Sequence, residues 1–392
     1  MCVTTIVSGR PHIVVNTCNG CTDCTASPWA SANAIRQLRM PAEAKSFFPM
    51  RRSSSAPLLF LGANGFPAKV YTPALKVLLA ELGRSPKVDS YDAISSESLR
   101  RPVARDASAS SSSTLTALDY HQLFTPIPKT WSPVVSHVES AAASLCARGG
   151  PIIAVGHSAG GALLLASLRN SPHLFMGVVM IDPPLFNMWK RYVLGLGLAL
   201  PMAVLEKVHP LIKSAVTKRD TWSTMAEAEA WMESNRLFRT FHPDIRRAFL
   251  SHGLRPSGSD SSVTLAFTKT EEATMYITTP METGLGSNGL SVGQYGSGGG
   301  FPVLKASSKA SQATDPKGVY FYSLQHKFSS KEDIDFMKSP KGLGRRADGE
   351  ETTVCGGGCN FKGFEQGHFW PLEDPTDFGV KVAAAVESIA EL

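Results

Sequence analysis

The stretch AVGHSAGGAL places Ser158 in a glycine pattern that is typical of a nucleophilic serine. On a tight turn from a strand to a helix, small residues two positions before and two positions after the serine avoid clashes between neighbouring Cβ atoms. Gly156 and Gly160 hold these positions, the apolar run PIIAV precedes the motif and GALLLASL follows it. We therefore predict that Ser158 is a nucleophile on a strained turn. The alternative is a structural serine in an ordinary glycine-rich loop.

A serine hydroxyl becomes a strong nucleophile only when a base takes its proton, and histidine is the usual base. The histidines that follow Ser158 in the chain are His173, His209, His242, His252, His326 and His368. His368 lies in the stretch QGHFWPLEDP, just before the last predicted helix, and the glycine before it allows a close approach of the loop. We predict that His368 is the base.

The histidine needs a carboxylate that holds its tautomer, and two positions compete for this role. Asp182 directly follows the predicted strand GVVMI, at the sheet edge where ligands bind. Glu332, with Asp333 beside it, follows the predicted strand VYFYSL after a short loop. We favour Asp182, and Glu332 or Asp333 is the alternative. Asp182 ahead of Pro183 also fits a simple turn former.

An acyl-transfer site also needs N–H donors for the oxyanion. We expect one donor at Ala159, the residue after the nucleophile, and the other at Phe66 in LGANGFPAKVY. Gly65 permits the turn in this stretch, and Asn64 could donate a hydrogen bond or anchor the loop. Both are candidates to bind substrate. The alternative is an ordinary Asn-Gly turn.

Strands and helices alternate around these residues, which predicts a mostly parallel central sheet flanked by helices. The predicted core covers residues 57–184 and 301–392, and an inserted helical cap with a glycine-rich loop covers residues 185–300. The predicted strands are residues 57–62, 88–91, 151–155, 177–181, 263–267 and 319–324, and the predicted helices within the core are residues 71–82, 131–146, 162–168 and 374–392.

The start of the predicted cap is apolar, and Phe186 and Trp189 are candidates to line a pocket for an acyl chain. The alternative is that these side chains pack the cap onto the core. The longest apolar run, Tyr192–Leu205, has fourteen residues and contains Pro201, whereas a membrane-spanning helix needs about 20. It therefore does not predict a transmembrane segment, and contact of this helix with a membrane surface is an open alternative.

Residues 1–56 form a separate N-terminal extension that is basic, rich in hydroxyl groups and poor in acidic residues. Such a composition is typical of an organelle transit segment, and a tail without an address is the other interpretation. We expect an intracellular soluble protein of the cytoplasm or an organelle. Cys18, Cys21 and Cys24 have metal-ligand spacing, with Cys355 or Cys359 as a distant fourth ligand, but we expect no metal site because no nearby ligand completes the set.

The formal net charge of +6 is spread along the chain without a dense basic tract, which argues against nucleic-acid binding. Seven cysteines without regular spacing argue against a disulfide-stapled secreted fold. The sequence implies no metal or organic cofactor and no protein partner. The predicted partner is a small-molecule or lipid-like ester.

These motifs resemble those of α/β-hydrolase-fold serine hydrolases, and more narrowly of a little-characterised set with an A-N-G-F-P turn after the first core strand. The matching stretches include ANGFPAKVYTPAL, GHSAGGALLL, MIDPPLF and GHFWPLEDP, and the resemblance spans roughly residues 57–380. It implies Ser158 as nucleophile and His368 as base. An S-x-E element matches Ser330 to Glu332, whereas a D-P pair after the strand that follows the serine matches Asp182.

The resemblance implies a carboxylesterase or lipase-like enzyme that cleaves an apolar ester through an acyl-enzyme. Asn64 departs from the histidine that many relatives of the fold carry before the glycine of this turn. Two alternatives remain open. The same residues serve acyltransferases and cofactor-free lyases, and a hydrolase-like protein can bind a ligand with little turnover.

Overall fold

The structure is a computed structural model that describes residues 6–7, 10–11, 56–92, 115–120, 131–184, 204, 207, 209–258, 261–282, 317–325, 330–338 and 359–391. The chain divides into two compact units, residues 1–49 and 50–392. In the first unit, the described residues form an antiparallel hairpin of β1 (Ile6–Val7) and β2 (Arg10–Pro11).

The second unit is built on a seven-stranded parallel sheet. Its strands are β3 (Leu58–Leu61), β4 (Val88–Asp92), β5 (Leu115–Asp119), β6 (Ile152–His157), β7 (Phe175–Ile181), β11 (Lys317–Ser323) and β12 (Cys359–Phe364). They lie in the order β12-β11-β7-β6-β3-β5-β4, and every neighbouring pair is parallel. After β5 the chain crosses to the other side of β3, so the strand order reverses between β3 and β6. Ligands of open α/β sheets bind at the carboxyl ends of the strands beside such a reversal.

Alternate residues of each strand pack on opposite faces of the sheet, as the period of a strand requires. In β3, Leu58 and Phe60 join one core cluster, and Leu59 and Leu61 join the other. Helices cover both faces. They are α1 (Thr72–Glu81) and α10 (Pro375–Ala390) on the first face, and α2 (Ser132–Gly149), α3 (Ala159–Asn170) and α8 (Lys331–Lys338) on the second. These layers confirm the predicted α/β fold.

The final helix shows how local sequence sets a boundary. The Asp374 side chain accepts a hydrogen bond from the Asp377 N–H, and Pro375 occupies the first position of α10. An N-cap carboxylate and a first-turn proline both favour helix initiation, because they satisfy or remove N–H groups that lack partners within the helix. The short helix α9 (Trp370–Glu373) precedes it and follows His368 directly.

Residues 209–282 correspond to the described part of the predicted cap. They form α4 (Pro210–Thr217), β8 (Thr221–Trp222), α5 (Met225–Ser234), α6 (Pro243–His252), β9 (Leu254–Pro256), β10 (Val263–Leu265) and α7 (Lys269–Glu282). The three strands make an antiparallel sheet in the order β8-β10-β9. The sequence pattern predicted a strand only at residues 263–267. This segment therefore combines helices with a small sheet, whose first strand is too short to produce an alternating pattern.

The predicted strands at residues 57–62, 88–91, 151–155, 177–181 and 319–324 and the four predicted core helices are all present in the structure. The strands β5 and β12 and the helix α8 were not predicted. Several predictions lie outside the described residues, namely those on the glycine-rich loop, the N-terminal cysteines, Phe186 and Trp189.

Candidate active site

Ser158 lies on the turn between β6 and α3, with φ of 53° and ψ of −123°. A positive φ is rare for a residue other than glycine, so the turn is strained. A Cβ atom at Gly156 would lie 2.7 Å from the backbone of Gly161, and one at Gly160 would lie 2.5 Å from the Leu61 carbonyl oxygen. Both separations are shorter than real Cβ contacts. Glycine is therefore required at both positions of the sequence motif.

His368 lies in the loop between β12 and α9, where its imidazole is buried between two side chains. Its Nε2 atom is 3.0 Å from the Ser158 Oγ, and its Nδ1 atom is 2.7 Å from the Asp182 Oδ2. The Asp182 side chain is 1% exposed and that of His368 is 6% exposed. The three side chains thus form one line of hydrogen bonds, although 210 residues separate Ser158 from His368 in the chain.

Asp182 follows β7 with φ of 41°, so it is the second described non-glycine residue with a positive φ, beside Ser158. Its N–H donates to the Phe321 carbonyl at 2.8 Å, which extends the β7–β11 pairing to the sheet edge. The Oδ1 atom of Asp182 is buried without a hydrogen-bond partner, which is a cost accepted at this position. The carboxylate is aimed at the histidine by a backbone that the neighbouring strand holds.

The alternative carboxylates occupy other places. Glu332 lies on the exposed first turn of α8, and Asp333 accepts hydrogen bonds from the N–H and the hydroxyl of Ser330, at 3.1 and 2.8 Å. Asp333 and Ser330 thus form a reciprocal cap at the start of α8, because the Asp333 N–H also donates to the Ser330 Oγ. Both ring nitrogens of His368 are occupied by Ser158 and Asp182.

The loop after β3 faces the start of α3. Ala159 is the first residue of α3, where N–H groups have no partner within the helix. The Phe66 N–H donates to the Ala63 carbonyl at 3.4 Å, which is longer than an ordinary hydrogen bond. Gly65 has φ of +84° at the tip of this turn. Asn64 donates through Nδ2 to the Glu272 carbonyl at 3.1 Å, and its Oδ1 is buried without a partner.

Residues 209–282 pack on both loops of the site through aromatic rings. The Phe66 ring lies 5.8 Å from that of Phe241 and 6.1 Å from that of Phe249, between ring centroids. Phe369, the residue after His368, lies 5.6 Å from Phe66 and 5.7 Å from Phe241. A Cβ atom at Gly65 would lie 3.0 Å from the Glu272 carboxylate, which forms an ion pair with Lys218. Segment 209–282 therefore packs directly against the loop that carries Phe66.

A sequence profile described as the α/β hydrolase family matches residues 58–281, more than half of the chain. The chain belongs to the α/β hydrolase family. Solved structures similar to this α/β hydrolase include a peroxisomal α/β-hydrolase of Saccharomyces cerevisiae, at 13% identity and a TM-score of 0.49 over 88% of this chain and 80% of that chain. A second is described as a carboxylesterase structure from Nitrososphaera gargenis, at 13% identity and a TM-score of 0.46 over 86% of this chain and 92% of that chain. No curated protein matches the sequence significantly.

Two buried residues of this α/β hydrolase were not among the predicted site residues. His157, beside the nucleophile position, has Nδ1 2.9 Å from the Tyr71 hydroxyl and Nε2 2.8 Å from the His368 carbonyl oxygen. Burial and the nearby His368 hold the pKa of His157 well below its ordinary value of 6.5. The sequence signal was a histidine next to the motif serine, but its partners lie 86 and 211 residues away in the chain.

The described part of the α/β hydrolase contains no cluster of three or more histidine, cysteine or acidic side chains arranged to hold a metal ion. None of its helices within the described ranges has the length and apolar character needed to cross a bilayer.

Proposed function

We propose that this α/β hydrolase is a serine esterase that cleaves a carboxylic ester with an apolar acyl group through an acyl-enzyme. The observation that carries the proposal is the line Asp182–His368–Ser158, with distances of 2.7 and 3.0 Å, at the strained end of β6. A serine is activated for acyl transfer when a base lies within hydrogen-bond distance of its hydroxyl and a buried carboxylate orients that base.

The proton positions follow from the contacts. Nδ1–H of His368 donates to the Asp182 carboxylate, so Nε2 is free to accept the Ser158 proton. As the proton moves to Nε2, Oγ bonds to the carbonyl carbon of the ester and the carbonyl oxygen becomes an oxyanion. His368 then gives the proton to the departing alkoxide as the C–O bond breaks. A water molecule repeats the sequence on the acyl-enzyme and releases the acid.

The N–H groups of Ala159 and Phe66 are the proposed oxyanion donors. The Phe66 bond to the Ala63 carbonyl is long, at 3.4 Å, so a developing negative charge is a better acceptor for that N–H. Catalytic hydrogen bonds are often loose before substrate binds and tighten in the transition state. Asn64 and Gly65 shape this turn.

The preference for an apolar acyl group is supported by the aromatic rings beside the site. Phe66 follows the turn of the oxyanion loop and Phe369 follows His368, with ring centroids 5.6 Å apart. A pocket lined by such rings favours hydrocarbon over charged substrates, since burial of apolar area contributes about 25 cal/mol per Å². Phe186 and Trp189, which lie outside the described residues, remain proposed contributors to this wall.

The experiment is hydrolysis of p-nitrophenyl esters of increasing chain length by the full chain, by Ser158→Ala and by Ser167→Ala. Ser167 is a matched control, because it is also buried in α3 and its hydroxyl only donates to the Leu163 carbonyl. We expect turnover by the wild type and the control, and a loss of at least about 10⁴-fold in kcat for Ser158→Ala. Turnover that persists in Ser158→Ala would contradict the proposal. An acyltransferase would instead form mainly the new ester, with little free acid, when an alcohol is added at low concentration.

A further inference from the structure

A chain of buried hydrogen bonds joins the two loops of the site behind Ser158. The Ala63 N–H, in the loop after β3, donates to the Tyr71 hydroxyl oxygen at 2.9 Å. That hydroxyl lies 2.9 Å from Nδ1 of His157, and Nε2 of His157 lies 2.8 Å from the His368 carbonyl oxygen. The chain therefore begins at the proposed oxyanion loop and ends on the main chain of the proposed base.

The backbone groups at the two ends of this hydrogen-bond series allow only one arrangement of its protons. A backbone N–H only donates and a backbone carbonyl only accepts. The Tyr71 oxygen accepts from Ala63, so its own proton is available for Nδ1 of His157, and Nε2 of His157 must carry the proton that reaches the His368 carbonyl. In the opposite tautomer, the lone pair of the unprotonated Nε2 would point at a lone pair of the His368 carbonyl oxygen, and the two would repel each other. His157 is thus held as the neutral Nε2–H tautomer.

The surroundings keep both side chains in this state. Tyr71 and His157 are completely buried. Burial raises the pKa of the Tyr71 hydroxyl well above its ordinary value, and burial together with His368 lowers that of His157 well below 6.5. Neither group therefore changes its charge near neutral pH.

Packing also fixes the two rings in place. The Tyr71 ring lies against the Phe60 ring, with a centroid distance of 4.9 Å, and a Cβ atom at Gly62 would come within 2.7 Å of it. The imidazole of His157 lies 5.2 Å from that of His368 and 6.3 Å from the Phe369 ring, between centroids. These close contacts leave the rings little freedom to move without moving the loops.

We propose that Tyr71 and His157 are positioning residues that hold the oxyanion loop and the loop of His368 in one fixed relation around Ser158. The inference rests on the proposed esterase function, because its consequence is the alignment of base and oxyanion donors. Neither side chain contacts the Ser158 hydroxyl, and both act through main-chain atoms of the two loops. A displacement of about 1 Å in such an alignment can cost on the order of 10²-fold in rate.

The test compares Tyr71→Phe with Tyr120→Phe. Tyr120 is a matched control, since it is also fully buried and its hydroxyl donates to the Gly62 carbonyl at 2.7 Å, one residue from Ala63. We expect both variants to lower the Tm. Because Tyr71 is also linked through His157 to the loop of His368, Tyr71→Phe should lower kcat by about 10- to 100-fold with KM changed by less than about twofold, and Tyr120→Phe should lower kcat much less. An equal or smaller loss of kcat in Tyr71→Phe than in Tyr120→Phe overturns the proposal.

Two variants of His157 sharpen the test. His157→Gln retains an amide that can donate to the His368 carbonyl, whereas His157→Leu removes the donor. We expect the glutamine variant to retain several-fold more kcat than the leucine variant. The double variant Tyr71→Phe with His157→Leu should lose little more than the larger single loss, because either break disconnects the chain. Fully multiplicative losses would show that the two residues act independently.

Nitrogen NMR of the histidine rings provides a readout that does not depend on turnover. For the wild type, the proposal predicts a neutral His157 with the proton on Nε2 throughout pH 6 to 8. The ring signals of His368 should be altered in Tyr71→Phe but not in Tyr120→Phe. Unaltered His368 signals in Tyr71→Phe overturn the positioning role. If the wild type cleaves no ester while the NMR result holds, the esterase proposal has failed and the structural link has not.

Discussion

Backbone strain distinguishes the carboxyl edge of the large sheet from segment 209–282. At the sheet edge, Ser158 and Asp182 have positive φ values of 53° and 41°. Within the described part of segment 209–282, only Gly258 has a positive φ, of 80°, and glycine tolerates it. Each strained non-glycine residue costs on the order of 1–3 kcal/mol, and such residues persist only where the surroundings hold them.

The two regions also differ in the kinds of contact that stabilise them. Around Ser158, main-chain hydrogen bonds and buried polar side chains hold the turn, and Gly156 and Gly160 lie where an added Cβ atom would come within 3 Å of other backbone atoms. Segment 209–282 has a buried aromatic core that includes Phe238, Phe241 and Phe249, and its surface carries helix caps and exposed ion pairs such as Arg219 with Glu227. Exposed pairs contribute little to stability. We therefore expect substitutions at the sheet edge to change turnover most, and substitutions of the exposed polar contacts of segment 209–282 to change mainly stability.

The largest effect should come from the carboxylate at the sheet edge. We expect Asp182→Asn to lower kcat by about 10⁴-fold, because an amide stabilises the wrong tautomer of His368 and cannot stabilise the imidazolium. Glu332→Gln, on the exposed turn of α8, should change kcat by less than about twofold. Steady-state kinetics with a p-nitrophenyl ester measure both. A larger loss in the Glu332 variant would reassign the acid.

A second prediction breaks the close packing of the nucleophile turn. Gly160→Ala adds a Cβ that would lie 2.5 Å from the Leu61 carbonyl oxygen, so we expect a loss of roughly 1–3 kcal/mol in the free energy of unfolding and a lower kcat. In Gly367→Ala, beside His368, the nearest atom to the new Cβ is a Glu373 carboxylate oxygen at 3.4 Å, an ordinary contact. Urea unfolding should therefore separate the two variants. Equal stabilities would contradict the role of backbone contact at Gly160.

The secondary structure around the site was largely predictable because buried parallel strands are continuous apolar runs, such as PIIAV and GVVMI. β12 was missed because its sequence CNFKGF mixes polar and apolar residues, as suits an edge strand with mostly part-buried side chains. β5 was missed because it directly follows the serine-rich residues 108–114 (SASSSST) without a turn signal. β8 has only two residues, which is too few for any periodicity.

The site was predictable to the extent that it is local. Ser158 is identified by a five-residue motif, and His368 by its place before the last helix. The choice between Asp182 and Glu332 depends on where the loop of His368 lies against β7 and β11, which is a tertiary contact. The link from Tyr71 through His157 to His368 likewise depends on the folded arrangement of three distant segments.

A third prediction concerns pH and the buried His157. Its folded-state pKa lies well below the unfolded value of 6.5, and the groups that face its ring are Tyr71 and His368. Below pH 6.5 the unfolded chain binds a proton there that the folded protein does not, so the free energy of unfolding should fall as the pH falls from 6.5 toward the folded-state pKa.

Denaturant unfolding between pH 8 and pH 5 measures this slope. His157→Gln should flatten it, because the unfolded chain then has no proton to gain at this position. His209 and His252 in segment 209–282 also have pKa values lowered by burial, and as less buried groups they should contribute less. Identical slopes in the wild type and His157→Gln would show that His157 does not carry the effect.

The smallest effect should come from the N-cap residue of a helix in segment 209–282. The Thr224 hydroxyl accepts from the Glu227 N–H at 3.1 Å at the start of α5, so Thr224→Ala should cost about 1 kcal/mol of unfolding free energy. Thr217→Ala is the matched control, because the Thr217 hydroxyl only donates to the Lys213 carbonyl one turn earlier in α4. Neither should change kcat beyond about twofold. A large loss of kcat in Thr224→Ala would remove the contrast between the two regions.

The proposal that Ser158 is an activated nucleophile is tested most directly by labelling the folded full chain with a fluorophosphonate and mapping the adduct by peptide mass spectrometry. The account predicts one phosphonyl adduct on Ser158, absent in Ser158→Ala and formed much more slowly in Asp182→Asn. A folded wild type that stays unlabelled, or an adduct on another residue that persists in Ser158→Ala, would contradict the claim that Ser158 is an activated nucleophile.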